Sequence, residues 1–202
     1  MAREDAKASA PPEITKPQIS LIGEVCEATV ETLRDELSAP SGDGPVTIEV
    51  TTLGGDAEMA RRAVLEIDSA RERLKPRRLL FLGKTIVYSA GVTMMAAFPR
   101  EDRFLTKDAM LLIHCRQLDK TIELDGPVRA SVPKVEALLH QLKTGIELEE
   151  DNFKRLIEGS DLAGKDIGKD RLYDAFSTRS GIPSFLLRDD RALRLEDVLA
   201  HL

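Results

Sequence analysis

Apolar and polar positions divide the first half of the chain into alternating strands and helices. Short apolar or β-branched segments predict strands at 19–22, 46–51, 79–83 and 109–113. Apolar residues three and four apart predict helices at 26–37 and 90–98, with a further helix that places Met59, Ala63, Ile67 and Ala70 on one face. This alternation predicts an α/β fold with right-handed crossovers around one parallel sheet.

The second half of the chain has a different pattern. A long, charged helical segment covers about 132–158, and its apolar stripe is longer than a compact domain needs. We therefore expect a homo-oligomer with this helix in the subunit contact. A further helical piece at 170–180, a strand or turn at 182–187 and an amphipathic tail follow. Residues 1–17, charged and rich in Ala and Pro, predict a flexible arm before a single domain at 18–202.

Composition narrows the class of protein. Apolar residues make up 42% of the 202 residues but aromatic residues only 4%, which predicts an aliphatic core. The net charge is −6 and no basic patch carries interleaved aromatics, so we expect no nucleic-acid partner. No apolar run is long enough for a membrane span or a signal peptide, which predicts a cytoplasmic protein. Cys26 and Cys115 have no metal-binding spacing and are expected as buried, reduced thiols, with a disulfide between them as the alternative.

The pair Gly54-Gly55 follows a predicted strand and precedes a predicted helix. Backbone N–H groups at such a turn favour an anion, either a phosphate or the oxyanion of an acyl-transfer reaction. Neither a Walker phosphate loop nor a GxGxxG motif is present. The alternative is a tight turn in which Asp56 caps the helix.

Ser89 lies in Tyr88-Ser89-Ala90-Gly91, where a strand turns into a helix of small residues. A serine at such a corner presents its hydroxyl beside the free N–H of Ala90, as in a nucleophile elbow, although Val87 replaces the first glycine of GxSxG. The alternative is a serine that caps the helix.

His114 ends an apolar strand, whereas His140 and His201 lie in polar surroundings and are expected to be solvated. A histidine at the carboxyl end of a strand suits a base facing a site at the edge of the sheet. The alternative is a core histidine bonded to a backbone carbonyl. A metal site shared with Cys115 is excluded because neighbouring residues of a strand point to opposite faces.

These three features in this order resemble the proteolytic subunit of the Clp protease family. The resemblance rests on Thr52-Leu53-Gly54-Gly55, Tyr88-Ser89-Ala90-Gly91 and Leu112-Ile113-His114, with the family's spacing between serine and histidine, and it covers about 19–160. It implies a ClpP/crotonase-like spiral of ββα units with a protruding handle helix at about 132–158.

The resemblance also implies an activity: a serine endopeptidase acting on peptides or unfolded proteins, without metal or organic cofactor, in stacked rings. Ser89 would be the nucleophile, His114 the base, and Gly54 and Ala90 the oxyanion donors. The family's aspartate follows the handle helix. Asp170 suits this position best, and Asp190 is the alternative.

Departures from the family keep other functions open. The proline before the glycine pair is Leu53 here, and the Gln-Pro after the histidine is Cys115-Arg116. The N-terminal segment does not match the loops with which the family contacts its unfoldase ATPase, so that partnership stays open. The alternatives are a non-proteolytic scaffold or assembly partner, and a crotonase-type acyl-CoA enzyme that needs no serine–histidine pair.

Overall fold

The computed structural model describes residues 12–106, 109–114, 116, 120–158 and 185–188, which form a mixed α/β fold on one sheet. The strands are β1 Ile19–Ile22, β2 Val46–Thr52, β3 Leu79–Tyr88, β4 Arg103–Leu105, β5 Met110–Ile113 and β6 Phe185–Arg188. The helices are α1 Glu27–Ser38, α2 Ala57–Arg73, α3 Ala90–Ala96 and α4 Val128–Ile157. Most of the predicted arm, the predicted helix at 170–180 and the tail from 189 lie outside the described residues.

The sheet has the order β1-β2-β3-β5-β6, parallel except for β6, which runs antiparallel to β5. One edge of β3 is shared between two strands: Phe81–Gly83 pairs with β4, and Ile86–Tyr88 pairs with β5. The strand is therefore longer than the predicted 79–83, and it ends directly before Ser89.

The helices cover the sheet through aliphatic faces, as the periodicity predicts. α1 buries Val30, Leu33 and Leu37 against the core. Asp56 is the N-cap of α2, and its carboxylate accepts from two N–H groups of the first turn. The prediction that Asp56 caps the helix after the glycine turn is therefore correct. Successive helices pack against one another along the chain, α1 on α2, α2 on α3 and α3 on α4.

The long helix was predicted correctly, although α4 begins earlier, at Val128. None of its residues from 128 to 152 is buried, whereas Phe153, Leu156 and Ile157 are anchored in the core, so most of the helix projects from the fold. It carries an apolar row that we call the handle stripe, 41–84% exposed: Val128, Val132, Val135, Leu139, Leu142 and Ile146. No helix in the described parts of the chain is long and apolar enough to cross a membrane.

A buried arginine joins the ends of two helices. Arg103, only 4% exposed, donates to the carbonyl oxygens of Ala96 (3.4 Å) and Phe98 (2.7 Å) at the end of α3, and of Arg155 (2.9 Å) and Leu156 (2.8 Å) at the end of α4. The last carbonyls of a helix have no N–H donor within the helix. The guanidinium of Arg103 supplies donors to them.

The expectation of buried thiols was wrong for Cys26, which is exposed because it occupies the N-cap position of α1. Cys115 lies outside the described residues.

Candidate active site

Ser89 stands at the corner between β3 and α3 in a strained backbone conformation. Its φ of 51° and ψ of −109° lie where residues other than glycine are rare. Its N–H donates to the carbonyl of Leu112 on β5 at 2.8 Å, and its carbonyl accepts from Val92 and Thr93 in α3. Its side chain makes no capping hydrogen bond. Ser89 therefore occupies the N-cap position of α3 without capping it through its side chain, and the strained corner is similar to the turn of a nucleophile elbow.

The corner depends on a close approach between α3 and β2. A Cβ added to Gly91 would lie 2.4 Å from Cγ2 of the buried Thr52 and 3.1 Å from Cγ1 of Val87. Only glycine fits there, and the small residues after Ser89 allow the helix to start against the sheet.

His114 follows β5 directly and is half-buried. Because Tyr88 pairs with Leu112 in the parallel ladder, Ser89 lies beside Ile113, one residue before His114. Ser89 and His114 line one pocket of about 660 Å³ at the carboxyl edge of the sheet. Both residues therefore lie at the expected edge of the sheet and line the same pocket.

The two glycines of the turn take different positions. The Gly54 N–H donates to Thr52 Oγ1 at 3.0 Å, and the Gly54 carbonyl accepts from Thr52 Oγ1 and from the Val25 N–H. Gly54 also lies against Ser89, because a Cβ added to it would be 3.0 Å from Ser89 Cβ. The N–H predicted as an oxyanion donor is therefore already engaged, which corrects the choice of Gly54.

Gly55 is the glycine that lines the pocket. Its φ is +145°, and an added Cβ would lie 2.3 Å from the Val25 carbonyl, so no other residue fits. Among the acceptors of the described residues, none takes a hydrogen bond from the N–H of Gly55 or of Ala90. Within the described part of the chain, these two N–H groups could therefore serve as donors to an oxyanion at this pocket.

The pocket has an apolar wall and a charged rim. The apolar wall is formed by Val64 and Leu65 of α2, Val92 of α3, and Leu148 and Phe153 of α4. The charged rim consists of Asp56, Glu58, Arg61, Arg116, Glu149, Asp151 and Arg155. Handle and core thus share the site, and the projecting helix contributes its C-terminal third to the walls.

Two rim residues were not predicted from the sequence. The backbone N–H of Arg116 donates to Oε2 of Glu149 on α4, and the Arg116 guanidinium pairs with Glu58 on α2. Burial raises the pKa of the Glu149 carboxyl above its ordinary value, and the hydrogen bond from Arg116 acts in the opposite direction. Glu149 is 33 residues from Arg116 in the chain, so no local sequence pattern predicts this contact.

The aspartate candidates Asp170 and Asp190 lie outside the described residues. Within the described ranges, no group of three or more His, Cys, Asp or Glu side chains is arranged to hold a metal ion.

The sheet and the projecting helix α4 resemble those of a solved structure. Among solved structures, a point mutant of ClpP1 from Listeria monocytogenes matches with a TM-score of 0.56 and 22% sequence identity, over 86% of this chain and 84% of that chain. The chain therefore has a ClpP-like fold. No protein-family model matches the sequence, and no curated protein matches it.

Proposed function

We propose that this protein is a serine endopeptidase that hydrolyses peptide bonds in peptides or unfolded proteins. The observation that carries the proposal is the strained backbone of Ser89, whose hydroxyl makes no capping hydrogen bond to α3. Ser89 lines one pocket together with His114, Gly55 and Ala90. Strain of this kind is costly and persists where the surrounding structure imposes it, often at active sites.

Acylation follows from this arrangement. Ser89 Oγ attacks the substrate carbonyl carbon while the His114 imidazole takes the hydroxyl proton. The carbonyl oxygen becomes an oxyanion, which accepts from the N–H groups of Ala90 and Gly55. His114 then gives its proton to the leaving amine, and the C–N bond breaks to leave an ester on Ser89. Water, deprotonated by His114, hydrolyses that ester and regenerates the serine.

A carboxylate is expected to orient the imidazole. We propose Asp170 for this role, with Asp190 as the alternative. Loss of the orienting carboxylate reduces kcat by about 10⁴-fold in a well-studied triad. Asp170→Asn should therefore nearly abolish hydrolysis while Asp190→Asn changes little, and the opposite result would transfer the role to Asp190.

The pocket supports an extended peptide as substrate. Its apolar wall offers Val64, Leu148 and Phe153 to an apolar side chain next to the scissile bond. None of the steps requires a metal or an organic cofactor, and a cytoplasmic location remains a prediction from the sequence.

Assembly into a homo-oligomer is the second part of the proposal. The handle stripe repeats at intervals of four and three residues, the spacing of a seam between two helices. A second copy of this helix, related by a two-fold axis, would cover the stripe, as in rings stacked face to face. Light scattering at micromolar concentration tests this part, and a monomer contradicts it.

A fluorophosphonate probe tests the activity. The wild-type protein should be labelled at Ser89, Ser89→Ala should take no label, and His114→Ala should be labelled far more slowly because the hydroxyl loses its base. A folded wild-type protein that takes no label and cleaves no peptide would reject the peptidase. A labelled serine would in turn reject the acyl-CoA enzyme and the non-proteolytic scaffold.

A further inference from the structure

The segment that carries His114 is tied to two helices just beyond the sheet. The ladder between β3 and β5 reaches Leu112, whose carbonyl accepts from the Ser89 N–H, and the strand ends at Ile113. Two residues after His114, the backbone N–H of Arg116 donates to Glu149 Oε2 on α4, and its guanidinium pairs with Glu58 on α2. His114 thus lies between a ladder bond on one side and a side-chain anchor on the other.

We propose that Glu149 is a positioning residue that fixes His114 relative to Ser89 by holding the backbone of Arg116 to the handle helix. The inference rests on the proposed peptidase function. It assigns to the handle a direct part in the geometry of the reactive pair, in addition to any part in assembly.

The tie to Glu149 is expected to be stronger than the tie to Glu58. The Glu149 carboxylate is half-buried, and its bond to a backbone N–H is charge-assisted. The side chain of Glu58 is 52% exposed, and ion pairs in such positions are screened by water. The backbone bond also acts on the chain itself, two residues from the imidazole.

The tie needs an N–H at position 116. The family that this sequence resembles has a proline there, which has no N–H to donate. Arg116 therefore supplies a bond that the family's residue lacks, and Arg116→Pro removes the donor while leaving Glu149 in place.

Four variants test the inference with four measurements. Glu149→Ala removes the acceptor, Glu149→Gln keeps an acceptor oxygen without the charge, Arg116→Pro removes the donor, and Glu147→Ala is the control on an exposed position of the same helix. Each variant is measured by thermal melting, by NMR of the imidazole protons of His114, and by the rate of fluorophosphonate labelling. Amide exchange at Arg116 is measured for all but the proline variant.

Glu149→Ala should speed amide exchange at Arg116 by about tenfold or more, because the N–H loses its acceptor. It should broaden or shift the His114 imidazole signals and slow labelling by about 10- to 100-fold, since small displacements of a reacting group have effects of this size. Arg116→Pro should affect the imidazole and the labelling in the same way. In Glu149→Gln, the rates of amide exchange and of labelling should stay within about threefold of the wild-type rates. In Glu147→Ala, both rates should equal those of the wild type.

Unchanged exchange at Arg116 in Glu149→Ala would overturn the inference, as would a Glu149→Gln variant as impaired as Glu149→Ala. Should Glu149→Ala fail to fold, Arg116→Pro decides through the His114 imidazole signals and the labelling rate, and unchanged signals with unchanged labelling would overturn the inference. If the wild-type serine takes no probe, the peptidase proposal fails, while amide exchange and the imidazole signals still show whether Glu149 holds the His114 segment.

Discussion

The buried Arg103 gives the sharpest prediction about stability. Its guanidinium donates to four backbone carbonyls, three of them within 3.0 Å, at the C-terminal ends of α3 and α4. Burial lowers the pKa of Arg103 to about 10, so the side chain remains a cation at neutral pH. Arg103→Met keeps the volume of the side chain but leaves these carbonyls without a donor.

The expected loss follows from the number of bonds and from the cost of burying the charge. A hydrogen bond from a charged donor contributes about 1.5–3 kcal/mol, and the desolvated cation offsets part of the total. We expect Arg103→Met to lower the free energy of unfolding by about 3–5 kcal/mol, comparable to breaking a buried charged contact. For a chain of this size that corresponds to a melting temperature lower by about 6–20 °C.

Urea unfolding followed by circular dichroism measures this change. Arg34→Met is the matched control, because Arg34 is exposed and its side chain pairs with the adjacent Asp35; it should change stability by less than about 0.5 kcal/mol. Arg103→Lys keeps the charge on a single donor atom and should lie between the two. An Arg103→Met variant within about 1 kcal/mol of wild type would refute the reasoning, since the desolvation cost would then equal the gain from the bonds.

Three further predictions concern the site, the handle and the effect of pH. Gly91→Ala should lower the free energy of unfolding by about 2 kcal/mol and slow probe labelling, because the new Cβ meets Thr52. A stable, fully labelled variant would contradict this. The control Gly145→Ala, in open space on α4, should be neutral or stabilising. Leu139→Glu in the handle stripe should yield monomers by light scattering with an unchanged circular dichroism spectrum, and oligomers that persist would exclude the stripe as the contact. Burial raises the pKa of Asp102, so the charged form is disfavoured in the folded state. The wild type should therefore gain stability relative to Asp102→Asn as the pH falls from 7 through the raised folded pKa. Thermal melts in which both proteins show the same pH dependence would contradict this prediction.

The strands and helices with regular patterns could be predicted from the sequence, and two elements show where such prediction ends. The three-residue strand β4, Arg103–Leu105, was missed because its first residue is a charged arginine, and only its carbonyl contacts explain why that arginine is buried. The helix α4 begins at Val128, four residues before the predicted start, although a proline is typical of a first helical turn. In the structure Pro133 lies inside the helix instead.

The shared position of Ser89 and His114 at one pocket could be predicted, but not the contacts around them. The order of strand, serine and histidine predicts that Ser89 and His114 meet at one edge of the sheet, since parallel strands end together. The Gly54 N–H donates to the Thr52 hydroxyl, which leaves Gly55 as the glycine of the pair that lines the pocket. The spacing of residues in the sequence does not predict this hydrogen bond. The contact between Glu149 and Arg116 depends on how the handle packs against the site, which follows from the tertiary structure alone.

The strained conformation of Ser89 has a consequence for the newly made chain. The Ser89 N–H donates to the carbonyl of Leu112 on β5, and the α3 residue Gly91 packs closely against Thr52 on β2. Both partners are distant in sequence, so the corner forms only when these non-local contacts form, which is a slow stage of folding. A nascent or partly folded chain has a serine at this position without the geometry of a nucleophile. Under the proposed function, reactivity would therefore arise together with the completed fold, and the unfinished chain would not be exposed to its own chemistry.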